Sequence, residues 1–178
     1  MDTKNIQRTY CKEKLESLSI REKEEYSDII LSRLRNIIND DKLLSYYPTD
    51  NEVNVLALNK DYTIAYPVCE KDYQMSFYIP ENNKFITDKY GIHEPDIKGL
   101  NKEDISKYKY IIVPLLGFDE KCQRLGHGAG YYDRFLDKYD LIKIGVGFEV
   151  QKLDKVITET NDITLDYIVT EDKIYKKK

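Results

Sequence analysis

The sequence predicts an α/β fold in three layers, a mainly parallel sheet with helices on both faces. Three observations carry that expectation. Short apolar runs alternate with stretches of helical spacing along the chain, the pattern of strands joined by crossover helices. Residues 110–115, Tyr-Ile-Ile-Val-Pro-Leu, form a near-continuous apolar run, which suits a strand buried on both faces. The length, 178 residues, is that of one domain. A chain of this size buries about 70% of its unfolded surface and needs no disulfides. A single domain over residues 1–178 is therefore expected.

Each element has a local reason. Residues 3–17 read as a charged helix. Ser19 and Glu22 form a Ser-x-x-Glu capping box that opens a second helix. Tyr26, Ile30, Leu34 and Ile37 give that helix one apolar face, and Asn39-Asp40-Asp41 ends it. Residues 43–47 read as a strand stopped by Pro48. Thr49 and Glu52 suggest another cap with a short helix near 50–58. Strands are expected at 62–67 and 74–79, then a long, partly irregular connection over 80–100 and a helix at 101–107. After the buried strand come a glycine-rich turn, a helix at roughly 128–139, and strands at 142–147 and 167–170. Lys176-Lys177-Lys178 reads as a solvated tail.

Composition excludes several classes. Lys plus Arg is 28 and Asp plus Glu is 32, a net charge of −4, which argues against a broadly basic nucleic-acid binder. Cys11, Cys69 and Cys122 are odd in number and widely spaced, which argues against a disulfide framework or a cysteine-based zinc site. A reducing compartment follows as the expectation. The first eight residues lack an apolar signal core, and no apolar run approaches the length of a membrane span. A cytoplasmic protein without membrane or nucleic-acid partners, working as a monomer, is the expectation.

The stretch from Pro114 to Arg134 carries the chemistry. It follows the buried strand and leads into a helix, and ligands of open α/β sheets sit at the carboxyl ends of strands. Gly126, Gly128 and Gly130 alternate, so the backbone can approach an anion and offer N–H groups to it. A following helix N-terminus would add its positive end. Arg124 supplies a fork for phosphate oxygens, and Asp133 could hold a Mg²⁺ that bridges phosphates. The string is neither a Walker A loop nor Gly-x-Gly-x-x-Gly. Alternating glycines alone would better suit a tight structural turn.

Arg124-Leu-Gly-His-Gly-Ala-Gly-Tyr-Tyr-Asp133 resembles the signature of the 5-formyltetrahydrofolate cyclo-ligase family, approximately Arg-Leu-Gly-x-Gly-x-Gly-Tyr-Tyr-Asp. Pro114-x-x-Gly-Phe-Asp119 also fits. The similarity extends to Lys4 and Arg8, to residues 18–27, to Glu52, to Pro67, Met75 and Phe77, to Gly91-Ile-His-Glu-Pro95 and to Asp166. His127 and Ala129 depart from the usual residues, both between the framework glycines. The region around 53–62 looks shortened.

The resemblance implies roles residue by residue. Lys4 and Arg8 would reach ATP phosphates; read without it, they are a solvated basic face of a helix. Arg124, Leu125, Gly126, His127, Gly128, Ala129, Gly130, Tyr131 and Tyr132 would bind the nucleotide. Asp133 would hold Mg²⁺, with Asp166 as a second metal contact. Glu52, Met75, Phe77, His127 and Tyr131 would meet the folate, and Arg124 and Tyr131 would act in catalysis. Glu52 has a capping role as its alternative, and Met75 and Phe77, read without the resemblance, are core residues. The implied reaction is ATP- and Mg²⁺-dependent conversion of 5-formyltetrahydrofolate to 5,10-methenyltetrahydrofolate through a phosphorylated formyl group, with ADP and phosphate released. The alternative is a folate- or nucleotide-binding relative without turnover.

Overall fold

The computed structural model describes residues 3–178. In chain order its elements are α1 (Lys4–Glu16), α2 (Ile20–Ile37), β1 (Lys42–Leu44), β2 (Thr63–Cys69), β3 (Met75–Tyr78), β4 (Phe85–Thr87), β5 (His93–Pro95), β6 (Tyr110–Pro114), β7 (Gly117–Phe118), β8 (Arg124–Leu125), α3 (Tyr131–Lys138), β9 (Ile142–Val146), β10 (Tyr167–Val169) and β11 (Ile174–Lys176). Short 3-10 turns punctuate the connections.

Seven strands form the central sheet in the order β11-β10-β9-β6-β1-β2-β3. The inner five, from β10 to β2, run parallel, and only the two edge strands are antiparallel to their neighbours. The run at 110–114 is buried at every position, as a strand covered on both faces must be. One core lies under α1 and α2 and gathers Cys11, Leu15, Ile30 and Leu34 around Leu43, Ile112 and Ile144. The other lies under α3, where Phe135 and Leu136 meet Phe77, Ile111, Val113 and Ile168. Helices therefore cover both faces. No described helix is long and apolar enough to cross a membrane.

The capping box is formed. Ser19 N donates to Glu22 Oε2 at 2.7 Å, and Glu22 N to Ser19 Oγ at 3.1 Å. Asp40 then accepts the N–H groups of Asp41 and Lys42, turning the chain into β1.

Several expectations need correction. The strand expected at 43–47 leaves the sheet after Leu44, because Tyr46 is drawn aside to donate its hydroxyl to Val53 O at 2.7 Å. No helix forms at 50–55. Val53 and Val55 are pulled into the core, and only a 3-10 turn, Leu56–Lys60, follows. The connection at 80–100 holds the hairpin of β4 and β5. The helix expected at 101–107 is a single 3-10 turn, Ile105–Lys107, capped by Asp104. The helix expected from 128 starts at Tyr131, because Gly128 (φ 114°) and Gly130 (φ 76°) occupy left-handed backbone that no helix accepts. The lysine tail is partly a strand: Lys176 pairs with Tyr167 at the sheet edge.

Candidate active site

A cavity of about 460 Å³ opens at the carboxyl ends of the parallel strands. Pro114, at the end of β6, and Cys69, at the end of β2, mark that edge. The loop between β8 and α3 forms one wall, α1 brings Lys4 and Arg8 to another, and the β4–β5 hairpin supplies Ile92, His93 and Glu94.

Arg124 organises the loop. Its Nε donates to Pro114 O at 2.9 Å, its Nη1 lies 3.7 Å from Asp133 Oδ2, and its guanidinium sits over the Tyr132 ring at 5.2 Å. Burial lowers its pKa and the nearby Asp133 opposes that shift, so the guanidinium stays charged. A Cβ on Gly126 would sit 2.9 Å from the Arg124 guanidinium and would displace it. Arg8 donates from Nε to Gly126 O at 2.9 Å, fastening α1 to the loop. Gly130 caps α3 without a side chain, so no capping side chain takes up the first helical N–H groups.

The acids are placed with equal definition. Asp133 Oδ1 accepts from Ile163 N at 3.1 Å, leaving Oδ2 toward Arg124. Lys4 Nζ pairs with Asp162 at 2.6 Å and with Glu159 at 3.3 Å on the rim. Glu52 Oε2 accepts from Thr49 N at 2.9 Å, so the cap exists, while Oε1 faces His127 Nε2 at 3.8 Å. Burial raises the Glu52 carboxyl above its ordinary pKa, against the pull of Thr49 and Arg124. His127 is lowered, first by partial burial and then by Arg124, Lys12 and Arg8. Burial also pushes the Tyr132 hydroxyl well up, keeping it protonated.

The cavity brings together Lys4, Arg8, Glu52, Met75, Arg124, Gly126, His127, Gly128, Ala129, Gly130, Tyr131, Tyr132 and Asp133. Three expected members are elsewhere. Leu125 is buried in the core beneath the loop, so it can offer only backbone, and its carbonyl already accepts from Leu116 N. Phe77 is fully buried against Phe135, with ring centroids 4.9 Å apart. It shares a strand face with Met75 but is sealed by α3, whereas Met75 at the strand's start reaches the cavity. Asp166 is corrected outright as a metal contact. It precedes β10 at the opposite, amino end of the sheet, where its Oδ2 accepts from Lys143 N at 2.8 Å.

Sequence reasoning missed Asp162, the second carboxylate beside Asp133's segment, because nothing in Thr158 to Thr164 stands out as a pattern. It also missed Tyr46 and Tyr47. Their position just past a parallel strand was the available signal.

Comparison with known proteins accords with this geometry. The family model described as "5-formyltetrahydrofolate cyclo-ligase family" matches residues 4–171. A 5-formyltetrahydrofolate cyclo-ligase of Mycoplasma pneumoniae is 31% identical over 136 residues, 71% of each chain. The Escherichia coli 5-formyltetrahydrofolate cyclo-ligase is 33% identical over 102 residues, and the match spans only 56% of either chain. The structure of a 5,10-methenyltetrahydrofolate synthetase from Aquifex aeolicus superposes with a TM-score of 0.84 at 26% identity, covering 97% of this chain and 92% of that one. The chain belongs to the 5-formyltetrahydrofolate cyclo-ligase family.

Proposed function

We propose that this family member converts 5-formyltetrahydrofolate to 5,10-methenyltetrahydrofolate at the expense of ATP, releasing ADP and phosphate, with residues 1–178 acting as one domain. The observation that carries the reading is one cavity walled by a glycine-rich loop with three cations on one side and by a half-buried carboxylate with tyrosines on the other. A nucleotide and a pterin would meet there. The binding-only alternative has no support in the site, since Arg124, Tyr131, Asp133 and Glu52 all reach the cavity.

In the proposed reaction the formyl oxygen attacks the γ-phosphorus and ADP leaves. N10 then closes on the formyl carbon and gives up its proton to solvent, and phosphate departs with the formyl oxygen. Chemistry of this kind asks the protein chiefly for alignment and charge neutralisation. Arg124, already anchored through Nε to Pro114 O, keeps its terminal nitrogens for phosphate oxygens. Lys4 exchanges Asp162 for phosphate. Arg8 braces the loop through Gly126, and its remaining guanidinium nitrogens lie near Gly128. Glu52 accepts hydrogen bonds from pterin N–H groups, a task for which the carboxylate form is needed. Tyr131 and Met75 flank the folate. His127 and Ala129 leave the loop's glycine framework intact.

The donor set also fits Mg²⁺. Asp133 and Asp162 are two carboxylates on one cavity, and Mg²⁺ is ordinarily held by one or two carboxylates with substrate phosphates and water. No group of three or more metal-ligating side chains occurs among the described residues, so phosphate and water would complete the shell. When bound there the ion would neutralise phosphate charge.

The test is direct. Purified protein with 5-formyltetrahydrofolate, ATP and Mg²⁺ should generate the absorbance of methenyltetrahydrofolate, with matching ADP, and none without ATP. ADP release indifferent to the folate would overturn the reading.

A further inference from the structure

Beside Tyr131 at the cavity mouth lie two residues that the reaction as described does not use, Tyr73 and Arg134. The turn after β2 holds two successive non-glycine residues, Asp72 and Tyr73, at φ 57°. Such backbone is costly and persists only where the surroundings impose it. Here Gln74 accepts from Lys138 of α3, and Glu70 N donates to Gln74 O. The turn holds Tyr73 outward, 52% exposed. Its ring lies 5.6 Å from Tyr131, and the Arg134 guanidinium sits 4.6 Å from the ring centre. Arg134 Nη1 donates to Ala129 O at 3.2 Å, and a Cβ on Gly130 would touch it at 2.6 Å, so it borders two cavity-lining residues. No ion pair engages Arg134 among the described residues.

We propose that Tyr73, Tyr131 and Arg134 form an aryl-carboxylate subsite that takes the aminobenzoyl-glutamate end of the substrate. The proposal rests on the folate reading above. Two tyrosine rings at the rim offer faces to a flat benzoyl group. A guanidinium oriented by one carbonyl and one ring keeps other N–H donors for a carboxylate. The chain carries net charge −4, so an anionic tail needs such a local cation. Phosphate is the competing anion. The exposed, aromatic surroundings of Arg134 favour the tail, whereas Lys4 and Arg8 lie among polar and backbone groups, and Arg124, though stacked on Tyr132, is buried, anchored to Pro114 O and turned toward Asp133.

The experiment is steady-state kinetics with two substrates: 5-formyltetrahydrofolate, and its analogue bearing an uncharged carboxamide in place of the glutamate. Arg134→Ala should raise KM for the natural substrate about tenfold, the size of one charged hydrogen bond, with kcat and the ATP KM unchanged. The same change should leave KM for the carboxamide analogue where it is, and Arg134→Lys should recover part of the loss. Tyr73→Ala should raise KM for both substrates about threefold, as loss of one ring contact would, and Tyr73→Phe should not. A rise in the ATP KM, or equal losses on both substrates in Arg134→Ala, would overturn the subsite. Absence of turnover by the unsubstituted protein would instead overturn the folate reading, and the subsite with it.

Discussion

The two ends of the central sheet contain similar local chemistry in different surroundings. At the carboxyl end, Asp133 accepts a backbone N–H from Ile163 and faces Arg124 at 3.7 Å. At the amino end, Asp166 accepts a backbone N–H from Lys143 and faces the Lys143 ammonium at 3.7 Å. Each is a carboxylate that accepts one backbone N–H and faces one cation at 3.7 Å. What differs is the surrounding backbone. Asp133 shares its cavity with a glycine loop, while Asp166 sits just before a strand whose backbone groups are taken up by the ladder. A carboxylate gains a role in phosphate chemistry from the field around it, and an acid next to a base is by itself only an ion pair.

The largest expected effect separates those two acids. Asp133→Asn keeps an oxygen for Ile163 N and should retain the fold, yet lose turnover by about a hundredfold or more, as when a preorganised charge is removed. Asp166→Asn should leave kcat/KM unchanged and shift stability by no more than about 1 kcal/mol. Turnover assays and thermal melts on both variants check this, and comparable loss of turnover in the two would erase the contrast.

A second pair sharpens the contrast at the scale of one strand. Phe77→Ala should cost about 3–5 kcal/mol of stability, because it empties the core beneath α3. Met75→Ala should cost less stability and instead raise KM for the folate, since that side chain meets the cavity. Denaturant melts and KM measurements on the same two proteins test the division.

The third effect is smaller and concerns pH. Burial raises the Glu52 pKa in the folded protein. A carboxyl whose folded pKa lies above its unfolded value destabilises when ionised, and that penalty fades as pH falls through the folded pKa. Glu52→Gln should therefore melt higher than the parent at pH 8, with the difference shrinking on acidification. It should also weaken folate binding. In the parent, kcat/KM should decline on the acid side at a pH above the ordinary glutamate range, as the carboxylate is protonated. Melting curves and pH–rate profiles of both proteins give the comparison, and an unshifted acid limb would remove Glu52 from the pterin site.

Much of the fold was legible in the order of residues. The 110–114 strand, the Ser19–Glu22 box and the glycine string state their own geometry, because burial on two faces, reciprocal capping and close backbone approach each demand particular residues in order. The glycine-loop wall of the cavity was legible for the same reason, being one continuous stretch. The opposite wall was legible only in part, because it is assembled from β2, β3 and the β4–β5 hairpin, none of which carries a pattern as specific as the loop's. The spacing of Met75 and Phe77 puts them on one strand face, but whether α3 covers one and spares the other is a matter of packing.

The sequence by itself determined the layered class, the order of most elements and the anion loop, since these follow from local spacing and from where glycine and proline can sit. Tertiary structure alone decided that Asp162 reaches the cavity and Asp166 does not. Both are single acids before short apolar stretches. Only the direction of a parallel strand, fixed by its neighbours in the sheet, sets which end of the molecule an acid occupies and which charges it meets there.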